Sequence, residues 1–175
     1  MNDNSLANKI TSTLLVIYLI ILFWILLLKF GVHFSYMENR LVNLIPFSEL
    51  IYPTGKVSYS EIILNVLIFI PLGIYFGVLF KRWTFTKKML FFFLISLLFE
   101  SLQFIFRIGA FDITDIITNT LGGFIGWLIW VGIAKILLNK IAAQRIVNIT
   151  ATLATLLMIV LLILLKLGML PIRYQ

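Results

Sequence analysis

The chain is a succession of long apolar runs separated by short polar gaps. Five runs of transmembrane length can be placed: Ile10 to Leu28, Glu61 to Phe80, Met89 to Phe106, Asp115 to Leu138, and Val147 to Leu167. Apolar residues occupy every face within these runs, whereas the strands of a membrane barrel would alternate. A backbone in lipid must satisfy its own hydrogen bonds, so runs of this kind predict α-helices. The expected fold class is an all-α polytopic membrane bundle of about five transmembrane helices. Between the first two runs, residues 31–60 hold Pro46, Pro53 and Gly55 beside Leu41, Ile45, Phe47 and Ile51. That stretch is too broken to span and too apolar to float free, so it is expected to lie at the membrane interface. Lys9 and the run behind it have the outline of a signal peptide, but no small-residue cleavage site follows Leu28, which predicts a retained first helix.

Composition strengthens this reading. Hydrophobic residues make up 62% of the 175, charged residues 12%, and the mean hydropathy is +1.10, well beyond a soluble domain of this size. With no cysteine, disulfides, thiolate nucleophiles and sulfur-ligated zinc are excluded. The single histidine, His33, sits beside aromatic residues in the interfacial stretch and reads as a surface residue rather than a ligand or base. No internal repeat or low-complexity linker divides the chain, so residues 1–175 are expected to form one membrane domain.

The net charge of +7 would suit nucleic acid, but the basic residues fall in short gaps between apolar runs, where they act as topology signals. No nucleic-acid partner is expected. Lys81, Arg82, Lys87 and Lys88 share one short acid-free loop, which predicts a cytoplasmic position. Lys135, Lys140, Arg145 and Lys9 agree, placing the N-terminus inside and the C-terminus, with Arg173, outside. On this orientation eight basic residues and only Asp3 lie inside, against six of each sign outside. The inner portions of the runs read as almost entirely apolar.

Polar groups in a membrane are costly, so their placement carries most of the functional information. Glu100, Gln103 and Arg107 follow i, i+3, i+7 spacing and fall within about 60° of one helix face. Glu100 lies about 18 Å of helical rise from Lys88, past the midplane. Asp112, Asp115, Asn119, Gly122 and Gly126 fall within about 80° on the next helix. Glu61 and Asn65 open the second run, which continues through Pro71, Gly73 and Gly77. Three helices thus carry polar residues toward the outer half. Pro71, Gly73, Gly77, Gly122 and Gly126 are assigned to helix packing, since small residues four apart let neighbouring helices approach closely.

Each polar residue also has a plainer reading. Asp112 is placed as an N-cap with Asp115 on the first turn, favoured by the helix dipole whether or not either binds a ligand. Glu100 and Arg107 are spaced for an ion pair that fixes packing, as well as for a functional role. Asn65, Gln103 and Asn119 can serve as interhelical hydrogen-bonding groups.

The ordered set Asn43-Leu-Ile-Pro46-Phe47, Asn65-Val-Leu-Ile-Phe-Ile-Pro71-Leu-Gly73, Glu100-Ser-Leu-Gln103 and Asp112-Ile-Thr-Asp115-Ile-Ile-Thr-Asn119-Thr-Leu-Gly122-Gly123 resembles the VanZ family. The resemblance gives a VanZ-like core over residues 10–138 and an additional C-terminal helix over 147–167. It implies a multi-pass protein of a Gram-positive bacterial plasma membrane, associated with resistance to teicoplanin, a lipid-tailed glycopeptide, more than to vancomycin. The family pattern covers Asn65, Pro71, Gly73, Glu100, Gln103, Asp112, Asp115, Asn119 and Gly122.

Two functions follow as expectations. One is a non-enzymatic resistance factor whose outer polar cleft engages an envelope lipid, a lipid-linked wall precursor or the lipoglycopeptide, with no cofactor and no metal. The other is an intramembrane enzyme acting on a lipid-linked envelope component, with Glu100, Asp112 and Asp115 as an acid/base set or hard-metal ligands. No Gly-x-Ser-x-Gly, His-Glu-x-x-His or phosphate-cradling Gly-x-x-x-x-Gly-Lys motif supports catalysis. Transport is disfavoured because the polar groups stop at one leaflet.

Overall fold

The structure, a computed structural model, describes residues 3–28, 41–48 and 59–166. His33, Pro53, Gly55 and Arg173, with most of the stretch expected at the interface, lie outside the described residues. The described chain forms helices α1 (Asp3–Leu28), α2 (Tyr59–Leu79), α3 (Phe85–Phe106), α4 (Ile113–Ile136) and α5 (Lys140–Lys166). Two short strands, β1 (Val42–Asn43) and β2 (Phe111–Asp112), pair in parallel, with Val42 opposite Phe111 and Asn43 opposite Asp112. All five helices are long and apolar enough to cross a bilayer. Apolar side chains one turn apart, such as Leu90, Leu94 and Leu98 on α3 and Leu153 and Leu157 on α5, remain exposed, as lipid-facing stripes must.

Helices α3 and α4 form an antiparallel hairpin whose register can be followed one turn at a time. Lys88 lies near Trp127, Phe92 packs on Gly123, and Ser96 receives a hydrogen bond from Asn119. The next step of this ladder sets Glu100 opposite Asp115. Helices α2 and α4 run parallel, and glycine makes their close contact possible. A Cβ on Gly73 would strike the Gly123 carbonyl, one on Gly122 the Val66 carbonyl, and one on Gly126 the Ile70 carbonyl. Such a seam brings backbones together without side chains between them.

Pro71 sits inside α2, which nevertheless continues from Tyr59 to Leu79. Its ring supplies no N–H and crowds the preceding turn. In that turn the Tyr18 hydroxyl of α1 donates to the Ile68 carbonyl (2.7 Å), fastening α1 to this part of α2. The core beneath is aromatic: Phe76 stacks on Phe80 and Phe91 with ring centroids 4.4 and 4.2 Å apart.

All five helices start earlier than their apolar runs, α2 and α4 by two residues and the other three by four or more. α1 begins at Asp3, α3 at Phe85 after its N-cap Thr84, and α5 at Lys140 rather than Val147. Asn139 explains the last, because its Oδ1 accepts the N–H groups of Ile141 (2.9 Å) and Ala142 (3.2 Å). The added turns are amphipathic: Ala143, Gln144, Val147 and Asn148 are buried while Arg145 and Ile146 are exposed. Gln144 Nε2 donates to Thr11 (3.0 Å) and Asn8 (2.9 Å), the Thr11 hydroxyl donates to Asn148 Oδ1 (2.8 Å), and Asn148 Nδ2 donates to the Ala7 carbonyl (3.0 Å). This buried network corrects the expectation that the basic half of the bundle is almost wholly apolar.

Candidate functional site

The second polar cluster gathers at the opposite end, where α2 begins, α3 ends and α4 begins. Its frame is the β1–β2 pair, closed by the Phe111 N–H donating to the Leu41 carbonyl (3.0 Å). This non-local contact lays the Asn43 segment across the start of α4. Asp112 is the N-cap of α4, its Oδ1 accepting the Thr114 N–H at 2.7 Å. Its other oxygen accepts a hydrogen bond from Asn43 Nδ2 at 2.9 Å. Asn43 Nδ2 also donates to the Ser48 hydroxyl (2.8 Å), while Asn43 Oδ1 accepts the Ile45 N–H (3.2 Å). The Phe47 N–H donates to Thr114 Oγ1 (3.0 Å) and completes the knot. Phe47 takes a left-handed conformation (φ 54°), so the turn is tightly bent.

Glu100 enters from α3 with only 3% of its surface exposed, and its Oε2 accepts the backbone N–H of Asp112 at 3.2 Å. It stands within electrostatic reach of both Asp112 and Asp115. Asp115 accepts a hydrogen bond from Asn65 Nδ2 of α2 (2.7 Å), which ties the parallel helices together above the glycine seam. One turn deeper, Asn119 is 1% exposed and donates to Ser96 Oγ (2.9 Å). Its Oδ1 is buried without a hydrogen-bond partner. Three carboxyl groups therefore converge among neutral donors.

The sequence-predicted residues divide clearly. Asn65, Glu100, Asp112, Asp115 and Asn119 come together. Glu61 is exposed on the first turn of α2, outside the cluster. Gln103 donates instead to the Leu26 carbonyl at the end of α1 (3.1 Å), fastening α3 to α1. Arg107 is the C-cap of α3, in the left-handed region at φ 58° with an exposed side chain, and no ion pair joins it to Glu100. Helix unwinding at the cap carries it off the face that regular i, i+7 spacing assumed. Asn43, Ser96 and Thr114 were missing from the predicted site. Asn43 lies in the Asn-Leu-Ile-Pro-Phe stretch that carries part of the family resemblance, so a signal for it was present.

Among the described residues, no group of three or more His, Cys, Asp or Glu side chains is arranged to hold a metal ion. The carboxyl oxygens of Asp112 are turned to its cap and to Asn43, and Asp115 toward Asn65, rather than to a shared centre.

These features define a polytopic α-helical membrane protein with polar clusters at both ends, the acidic one knotted around a buried glutamate. Residues 15–139, from within α1 through α4, match the family model VanZ/LLP1. The chain is 40% identical to Protein VanZ of Enterococcus faecium over 158 residues, covering 87% of this chain and 93% of that protein. It belongs to the VanZ family. No solved structure matches it.

Proposed function

We propose that this chain is a membrane factor for glycopeptide resistance of the teicoplanin type, working through the acidic cluster at the outer face. The observation that carries the reading is the buried Glu100 carboxyl group, which meets the start of α4 beside Asp112 and Asp115. Burying a carboxyl group is expensive, and setting the buried Glu100 beside two half-buried aspartates is not a packing solution that stability alone would favour. The likeness to Protein VanZ over nearly the full length supports the same function class.

The lysine and arginine asymmetry supports an orientation with the acidic end outside the cell. There the cluster would engage a polar envelope component: a lipid headgroup, a lipid-linked wall precursor or the lipoglycopeptide. Its acceptor-rich lining suits a ligand that brings ammonium or hydroxyl donors.

Expression in a susceptible Gram-positive host tests the proposal. Wild type should raise the inhibitory concentration of teicoplanin well above that of vancomycin. Glu100→Ala and Asp115→Ala should abolish the teicoplanin effect at unchanged membrane abundance. Full resistance in both variants removes the cluster from the mechanism.

A further inference from the structure

The opposite end of the bundle holds a cavity of about 560 Å³ between the ends of α2, α3, α4 and α5. Lys81, Lys88, Lys135 and Lys140 line it, one from each of four consecutive parts of the chain, and no acidic residue does. Lys88 is the informative member, because its side chain is buried, at 5% exposure. A buried ammonium is normally matched by a carboxylate. Here its nitrogen donates to the Trp83 carbonyl (2.5 Å) and lies 5.9 Å from the centre of the Trp127 ring. An ammonium has three donors, so the carbonyl leaves capacity for an anion. The cavity is of a size that holds small ligands, roughly 300–1,000 Å³.

We propose that this cavity binds the phosphate headgroup of an anionic phospholipid, with Lys88 at its base and Lys81, Lys135 and Lys140 around it. The shared chemistry is a phosphate group, and two features select the lipid over a soluble phosphate. The cavity lies at the helix ends, the level of the headgroups, and Trp83, Trp127 and Trp130 in its wall are residues that settle at that boundary. Its other wall residues, including Val131 and Ala134, are apolar and suit the glycerol and upper acyl region better than water. Basic pockets between transmembrane helices on the cytoplasmic side recognise anionic headgroups through the same physics.

The cavity contains its own reporter, since three of the chain's four tryptophans line it. The full chain is reconstituted in phosphatidylcholine nanodiscs with increasing mole fractions of acyl-brominated phosphatidylglycerol. Tryptophan emission should be quenched at lower mole fractions than with brominated phosphatidylcholine. Lys81→Ala and Lys135→Ala, both at exposed positions, should each raise the half-quenching mole fraction about fivefold. Lys87→Ala removes an equally exposed charge from the same loop region but not from the cavity wall, and should leave it unchanged. Thermal unfolding supplies an independent readout, with phosphatidylglycerol raising the midpoint of wild type more than that of Lys135→Ala. Equal quenching by the two lipids overturns the proposal. So does an effect of Lys87→Ala as large as that of the lining variants, or displacement of the lipid by millimolar inorganic phosphate.

Discussion

At the scale of single residues, the acidic cluster is a set of acceptors competing for few donors. Asn43 supplies two of its bonds through one amide nitrogen, to Asp112 and to Ser48. Asn43→Asp removes both and sets a second carboxylate against Asp112, whereas Asn43→Ala only leaves the acceptors vacant. The charge variant should therefore unfold at a lower temperature in detergent than the alanine variant and lose more teicoplanin resistance. Equal losses would mean that the amide acts only through the local turn. Asn119 gives the opposite expectation. One of its atoms is buried without a partner, so replacing the Ser96–Asn119 pair by Ala and Leu together removes one interhelical bond and one unsatisfied carbonyl. Such trades are close to neutral, within about 1 kcal/mol, and the double variant should keep the wild-type unfolding midpoint within a few degrees. A large loss would show that Asn119 has a task beyond packing. Glu100 and Asp115 were legible from helical spacing because α3 and α4 are regular across them, and Asp112 because an aspartate just ahead of the apolar run reads as an N-cap. Asn43 was not, since a two-residue parallel pair joining positions 69 apart leaves no periodic trace. Arg107 was misplaced for the same reason in reverse: periodicity was extended past a helix end that only the cap geometry reveals.

At the scale of elements, the α2–α4 seam sets how closely the two parallel helices approach and so whether Asn65 can reach Asp115. Gly73→Val or Gly126→Val places a side chain against a carbonyl on the facing helix, and the helices must separate. Both variants should lose at least about 2 kcal/mol of stability, comparable to severe overpacking. Resistance should fall although neither residue belongs to the cluster. Gly132→Val supplies the control, since a Cβ there meets nothing within 4 Å. Unfolding of the three variants by steric trapping or in mixed detergent would separate them, and an equal effect at Gly132 would point to helix propensity instead of the seam. Spacing made Gly73, Gly77, Gly122 and Gly126 visible in the sequence. The start of α5 was hidden because its first two turns mix Lys140, Gln144, Arg145 and Asn148 with small apolar residues, which dilutes hydropathy even though the amphipathic burial is clear once α1 lies alongside.

For the whole molecule, the segregation of charge is the property with the widest reach. Among the described residues, Lys9, Lys81, Arg82, Lys87, Lys88, Lys135, Lys140 and Arg145 share one end of the bundle with Asp3 alone, and Glu61, Glu100, Asp112 and Asp115 share the other with Arg107 and Lys166. The sign of that asymmetry argues for the basic end in the cytoplasm, because translocating that many lysines and arginines is opposed during insertion. The acidic cluster and the lysine-lined cavity then face different leaflets. Because the natural chain has no cysteine, single cysteines can be introduced without background. Leu44→Cys, at a position 65% exposed beside the acidic knot, should react with a membrane-impermeant maleimide on intact cells. Thr86→Cys, exposed at the start of α3, should react only after the membrane is opened. The reverse pattern would place the acidic cluster in the cytoplasm, out of reach of the wall and of an antibiotic that acts there. It would also move the lysine cavity to the outer leaflet, so a single pair of labelling reactions bears on both ends of the protein.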